Sequence, residues 1–388
     1  MLQPKLRFKN FSGEWKEEKL EELSIKIGDG IHSTPSYSDT GKYFFINGNN
    51  IKDNKIFISE TTKRVDENEY VKYRLPLNYN TILISINGTI GNLGYYNYEK
   101  VILGKSCGYI KLKKEVNKYF LLNLLKTNKI QTYFFQELTG TTIKNLSLQT
   151  LKNTKIKLPI DKEQKKIADF LSAVDVRIDL TNQKLELLEK YKKGIMQKIF
   201  NQELRFKDKY ENNYPKWEEK KIEELFKITR GYVLAKIEIK DIRINDYIYP
   251  VFSSQTLNNG LMGFYNKYLF ENCITWTTDG ANAGTVKFRK GKFYCTNVCG
   301  VLISDTYNNN CISEILGLET PKHVSYVGNP KLMNNIMSKI KITIPISLEE
   351  QQKIADFLSS IDNKIEKLSS KLEELKEFKK GLLQQMFV

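Results

Sequence analysis

The side chains with the most chemical reach in this sequence sit in glycine-flanked polar runs, not in a recognisable catalytic set. Asn87-Gly88-Thr89 and Asp279-Gly280-Ala281-Asn282 put short donors and acceptors beside glycine. Glycine lets a backbone come close to a phosphate, and a short side chain can then reach a base edge. Both runs are equally good hairpin turns. Gln255 and Asn282 carry amides able to pair with adenine in the major groove, with turn capping as the other use of Asn282. Lys105, Lys144, Arg289, Lys292 and Lys331 are candidates to neutralise phosphates, each against the alternative of an ordinary solvated side chain. His32 has polar neighbours and reads either as a hydrogen-bonded structural residue or as a surface contact. The 22 tyrosines and 20 phenylalanines include candidates for base stacking, although most must be core.

Enzymatic signatures are thin. The sequence holds no GxxxxGK[ST] phosphate loop, and Gly88-x2-Gly91-x2-Gly94 does not match a nucleotide fingerprint. It also lacks an Asn-Pro-Pro-aromatic methyltransferase motif. Glu163-x-Lys165 has a nuclease-like spacing but falls at a helix start without a suitable upstream acid. Cys107, Cys273, Cys295, Cys299 and Cys311 include no CxxC pair, and Cys295-x3-Cys299 makes at most half a zinc site beside only two histidines. Reduced, buried thiols in a cytoplasmic protein are the simpler reading. The start is polar, so no signal peptide is expected, and no apolar run is long enough to span a bilayer. The readings left open are a DNA-binding protein, a self-contained nuclease or methyltransferase, and a protein-only coiled-coil scaffold.

Charge favours the first. Sixty-one Lys and Arg against 45 Asp and Glu leave a formal +16, which suits a polyanionic partner and above all nucleic acid. An AT-rich genome that encodes many lysines would give the same excess, so charge alone does not decide.

The elements that must position these residues are written twice. Lys155-Ile156-Lys157-Leu158-Pro159-Ile160 returns as Lys341-Ile342-Thr343-Ile344-Pro345-Ile346. Ile167 to Phe200 then aligns without gaps on Ile354 to Phe387, with 17 of 34 positions identical, including Lys192-Lys193-Gly194 against Lys379-Lys380-Gly381. Leu6-Arg7-Phe8-Lys9 recurs as Leu204-Arg205-Phe206-Lys207, and the stretch from Trp15 as that from Trp217. The intervening stretches differ by 15 residues, so each half is a variable module followed by a segment of fixed length.

Both fixed segments predict long helices. Ile167, Leu171, Val174, Ile178, Leu185, Leu188, Ile195 and Ile199 alternate by four and three, with a polar break at Thr181. Ile354, Leu358, Ile361, Ile365, Leu368, Leu372, Leu375, Leu382 and Met386 repeat the seam. Asp161 and Ser347 are the expected N-caps. Gly194 and Gly381 each cost about 1 kcal/mol inside a helix, which a close backbone approach would explain. Each helix is the simplest partner for the other, as an antiparallel coiled coil about 50 Å long, roughly one and a half turns of duplex. Such a pair would space two modules related by a pseudo-two-fold axis.

The modules read as β-rich, with strands near Tyr43–Ile46, Thr81–Ile86, Val101–Leu103, Ile248–Phe252, Cys273–Thr277, Gly284–Phe288 and Val301–Ile303, and a helix near Val116–Lys126. The expected class is α+β: residues 1–160 a first recognition module, 161–202 a spacer helix, 203–346 a second module and 347–388 a second helix.

In that order, the repeated Pro-Ile…Ile-Ala-Asp-Phe-Leu…Lys-Lys-Gly helices and the module segments resemble the specificity subunit of a type I restriction–modification system. The similar segments in the first module are Asp29-Gly30-Ile31-His32-Ser33-Thr34-Pro35-Ser36-Tyr37, Ile82-Leu83-Ile84-Ser85 with Gly88-Thr89-Ile90-Gly91, and Thr139-Gly140-Thr141-Thr142. In the second they are Tyr249-Pro250-Val251-Phe252-Ser253-Ser254-Gln255, Thr278 to Thr285 and Gly291 to Tyr294. The resemblance implies two target-recognition domains and two unlike half-sites. It adds Asp29, Gly30, Ser33, Thr34, Thr142, Ser253 and Ser254 to the contact candidates. It further implies a chain without catalysis or cofactor of its own. Two modification subunits would bring S-adenosylmethionine, and restriction subunits would bring ATP and magnesium, on double-stranded DNA in the cytoplasm.

Overall fold

The computed structural model describes residues 3–140, 144–254 and 257–388. The chain forms two compact units, Met1–Gln183 with Ser370–Val388, and Lys184–Ser369. The two long helices, Asp161–Phe200 and Leu348–Met386, each contribute to both units. At 40 and 39 residues each is about 60 Å long.

In the first unit a four-stranded antiparallel sheet runs in the spatial order Ser24–Asp29, Cys107–Leu112, Thr81–Ser85, Leu93–Tyr95. Thr81–Ser85 is buried on both faces, so it reads as a continuous apolar run instead of an alternation. Ile82 and Ile84 join a core with Phe120, Leu121 and Leu125 of the helix Lys118–Leu125 and with Ile167, Leu171 and Val174 of the first long helix. Leu382 and Met386 of the second long helix, with Phe387 just beyond it, close the same core. Leu83 points the other way, to Ile46, Val101, Leu103 and Tyr109.

The second unit builds a six-stranded sheet in the order Lys227–Arg230, Cys299–Ile303, Phe270–Thr277, Val286–Cys295, Tyr249–Phe252, Leu261–Tyr265. Ile274 and Trp276 pack on one side with Leu302, Ile312 and Leu316 and with Met196, Ile199, Ile354 and Leu358 of the long helices. Cys273, Phe293, Cys295 and Val301 fill the other side. The architecture is α+β, two β-rich units with two long helices.

Within each unit the helices pair antiparallel. Ile167 and Leu171 share a core with Leu382 and Met386, whereas Met196 and Ile199 share one with Ile354 and Leu358. Every seam position predicted from the sequence is buried or half-buried. The repeated lysine and aspartate lock the register: Lys379 pairs with Asp175 in the first unit, and Lys192 with Asp362 at 2.7 Å in the second. Glu314 adds a second carboxylate to Lys192 at 3.0 Å. Two details differ from expectation. Ser347 accepts from the Glu350 amide at 3.3 Å and caps its helix, but Asp161 is itself the first helical residue, placed to face the dipole and not to cap. A Cβ on Gly194 or Gly381 would meet nothing within 4 Å, so no described backbone approaches them.

Each helix start is clamped in the same way. Glu163 is 1% exposed and takes a bidentate grip from Arg7, Nε and Nη2 each at 2.8 Å. Glu350, fully buried, takes Arg205 through Nε at 3.1 Å and Nη2 at 2.8 Å, and also accepts from Trp217 Nε1 at 3.1 Å. The next residues, Gln164 and Gln351, donate to the carbonyls of Pro159 and Pro345, which end the strands Lys155–Leu158 and Lys341–Ile344. Glu163 is therefore held by an arginine and is not free for metal chemistry.

Two predictions follow from buried charge. Arg205→Ala leaves Glu350 buried without its arginine, and is expected to lose about 3–5 kcal/mol of stability in urea unfolding, whereas Arg205→Met with Glu350→Met loses much less. An equal loss in the double variant would show that packing, not charge, explains the effect. Lys118 is buried at the head of its helix, donates to the Tyr79 carbonyl at 2.7 Å and lies over the Tyr79 ring. Burial pulls its pKa down to about 8, opposed by Glu99. Lys126 is likewise pulled down to about 8, by burial and then by Lys379, against Asp175 and Asp53. From about pH 8 to the ordinary lysine value the folded chain has shed protons that the unfolded chain keeps, so stability rises with pH in that window and is flat below it. Urea midpoints across pH 7 to 10 are expected to show this rise, and Lys118→Met with Lys126→Met to flatten it; an unchanged slope contradicts the assignment.

Candidate nucleic-acid interface

In the first unit the sheet gathers most of the candidates at one end. Asp29 closes its strand opposite Gly108, and Ser85 closes its own opposite Cys107, so the segments after them emerge together. Gly30 N–H donates to the Cys107 carbonyl at 3.1 Å and Ile31 N–H to Leu103 at 2.8 Å. Only glycine fits at position 30, because a Cβ would lie 2.0 Å from the Leu103 carbonyl oxygen. His32, exposed, is tied to Asp29 at 2.8 Å, with Ser33 and Thr34 exposed beyond it.

Ile86 N–H donates to Ser106 at 3.0 Å, which sets Asn87-Gly88-Thr89 beside Lys105. Gly88 has φ +72°, the left-handed conformation its turn needs, and the Ser85 hydroxyl closes the turn on the Thr89 carbonyl. Leu146 N–H donates to Ile86 at 2.9 Å, bringing Lys144 and Asn145 to the same end. Thr142 lies outside the described residues.

The second unit repeats this backbone frame bond for bond. Gly231 N–H donates to Cys299 at 3.0 Å, Tyr232 to Cys295 at 3.2 Å, Thr278 to Val298 at 3.0 Å and Leu332 to Thr278 at 2.9 Å. A Cβ at position 231 would lie 2.1 Å from the Cys295 carbonyl oxygen, the same close approach as at Gly30. Thr296 N–H donates to Phe252 at 2.9 Å, as Gly104 does to Ile46 at 2.8 Å, so Ser253 and Ser254 take the places of Asn47 and Gly48. Asp279, Gly280, Asn282, Ser253, Ser254 and Lys331 therefore share one sheet end. The Asn282 side chain caps nothing among the described residues and is exposed. Gln255 lies outside them.

One candidate stands apart. Lys292 pairs opposite Glu271 at the other end of the hairpin and lies 4.6 Å from the Tyr268 ring centroid. Arg289 lies mid-strand, against Thr275 and Phe252. Other members of the frame escaped sequence reasoning: Asn47, Gly231-Tyr232-Val233, and Asn297 in the place of Lys105. Tyr232 and Val233 are 63% and 77% exposed. A signal existed, since Lys26-Ile27-Gly28-Asp29-Gly30 and Lys227-Ile228-Thr229-Arg230-Gly231 share Lys-Ile-x-x-Gly.

The arrangement offers two concentrations of short polar side chains on turns, one at the end of each sheet. Among the described residues no group of three or more His, Cys, Asp or Glu is placed to hold a metal ion. All five cysteines are buried thiols, and burial lifts Cys107 to about 12 and Cys299 to about 11. No helix of the described residues is long and apolar enough to cross a membrane.

Family comparison places this geometry. The Type I restriction modification DNA specificity domain matches residues 12–190 and again 214–377. The chain belongs to that family. A Mycoplasma pneumoniae protein described as a type I specificity subunit is 39% identical over 156 residues, 39% of this chain and 42% of that relative. The chain thus spans less than half the length of that relative. A Methanocaldococcus jannaschii protein described as the specificity subunit of a type I restriction enzyme is 27% identical, over 95% of this chain and 92% of its own. Among solved structures, the type I restriction–modification S subunit from M. genitalium shares the fold, with a TM-score of 0.67 at 18% identity, over 100% of this chain and 99% of that one. The chain carries the domain twice, one match in each half.

Proposed function

We propose that this specificity-family chain reads a bipartite, asymmetric DNA target, one half-site at each of the two sheet ends, and performs no catalysis itself. The observation that supports this most is one backbone frame presenting two unlike sets of side chains. Asp29, His32, Asn87 and Lys105 stand in one, where Arg230, Val233, Asp279 and Asn297 stand in the other. A shared frame suits a shared docking mode on duplex DNA, whereas different side chains read different base edges. Adenine methylation with S-adenosylmethionine would belong to two modification subunits, and ATP- and magnesium-dependent cleavage to restriction subunits. The +16 formal charge supplies the sequence-independent part of the affinity.

The test has three arms. The purified chain with duplex DNA and either S-adenosylmethionine or magnesium should show no turnover; turnover without partners would identify an enzyme. Assembled with modification subunits, Asn87→Ala with Lys105→Ala should relax methylation at one half-site, and Asp279→Ala with Asn282→Ala at the other, by about 1–3 kcal/mol per lost base contact. Uniform weakening across all sequences would leave only a scaffold. One heptad inserted at paired positions in both long helices should lengthen the unread gap by about 10 Å, roughly three base pairs, with both half-sites unchanged.

A further inference from the structure

Arginines drawn out of water in this chain normally have a carboxylate waiting: Arg7 has Glu163, and Arg205 has Glu350. Arg289 does not. Its Nε donates to Thr275 Oγ1 at 3.2 Å, and its Nη1 to the Asn259 carbonyl at 2.7 Å. The guanidinium carbon stacks 3.8 Å from the Phe252 ring centroid. Three contacts thus fix the group in position, and none of them carries negative charge. Among the described residues no acidic side chain pairs with it, and burial pulls its pKa down to about 10.

A fixed, half-buried cation without a counter-ion is costly unless something outside the chain completes it. The group lines a pocket of about 250 Å³ with Ser253, Thr275, Thr277, Thr285 and Lys287. That lining holds a second cation and four hydroxyls, and among the described residues no carboxylate. Cys299 in the wall stays a neutral thiol, since burial raises it to about 11.

We propose that this pocket seats a phosphate group, and that in the working protein it is a backbone phosphate of the DNA target. The proposal deepens the DNA-reading function above and rests on it. A phosphate returns the missing negative charge and accepts from Nη2, the lysine ammonium and the hydroxyls together. The edge of a guanine offers two acceptors but no charge, and so does not complete the site. Ser253 ties the pocket to the sheet end, because its hydroxyl lies 3.2 Å from Thr296 Oγ1. A strand of DNA held there is thereby registered against the side chains that would read its bases.

The full chain is titrated with a random-sequence duplex over a range of salt, as wild type, Arg289→Gln and Arg289→Lys. Losing one phosphate contact should make the log K against log salt slope shallower by about 0.9 in Arg289→Gln. A fourfold rise in salt then costs the wild type about 3.5-fold more affinity than the variant. Arg289→Lys should keep most of the slope. Arg289→Gln should melt no lower than wild type, because it removes an uncompensated cation, and inorganic phosphate should raise the melting temperature of wild type but not of Arg289→Gln. Equal slopes with DNA still bound overturn the DNA assignment, and if inorganic phosphate still protects only the wild type, free phosphate is the occupant. A loss confined to one base pair makes Arg289 a base reader, and a marked fall in melting temperature makes it structural; either outcome overturns the proposal. A wild type that binds no duplex at all defeats the DNA-reading function itself, a different failure.

Discussion

A lysine and an aspartate, each written twice at the same interval, find their partners across the two copies. Lys379 of the second helix meets Asp175 of the first, and Lys192 of the first meets Asp362 of the second. Only an antiparallel pairing satisfies both contacts at once, because one runs from late in the second helix to early in the first and the other reverses that order. The apolar seam would tolerate a slip by a heptad, since heptads look alike. The ion pairs make one register better than its neighbours, and so act through specificity more than through stability. What each unit can present depends on that register, because both long helices complete the cores beneath the sheets.

The second constraint is the clamp where each helix begins. A buried glutamate, an arginine from the segment ahead of the module and a glutamine on the proline carbonyl tie three distant stretches together. They fix where the module's last strand ends and the helix starts. The sheet built above that junction then carries its loops at a defined end. The same arginine, glutamate and glutamine bonds recur in both halves although the modules between them differ in length. Selection on such a chain can vary loop chemistry while the frame stays put.

How much of this the sequence displayed depends on the range of the signal. The helices were legible because a 4-3 apolar rhythm over dozens of residues has no competing explanation. Thr81–Ser85 was legible as an apolar run, and so was Val301–Ile303, the later part of the strand Cys299–Ile303. Ser24–Asp29 and Cys107–Leu112 were harder to see, because glycine and lysine interrupt their pattern and the neighbouring strands supply the missing partners. The spatial gathering of Gly30, Lys105, Asn87 and Asn145 is set by hydrogen bonds between residues far apart in the chain, which no local pattern reports. Lys292 illustrates the converse: it sits in a segment with family likeness, yet the hairpin carries it to the far end of the sheet. Asp161 had the composition of a cap and fell one residue inside the helix. Glu163 had a catalytic spacing and turned out to be the anchor of a clamp.

The account as a whole claims that two unlike recognition surfaces on one repeated frame specify one gapped target. Mapping methylated adenines across host DNA, with and without the gene, measures this most directly. The account predicts that one gapped, non-palindromic motif vanishes when the gene is removed and returns with it. A continuous or palindromic motif, or a methylation pattern indifferent to the gene, would contradict it.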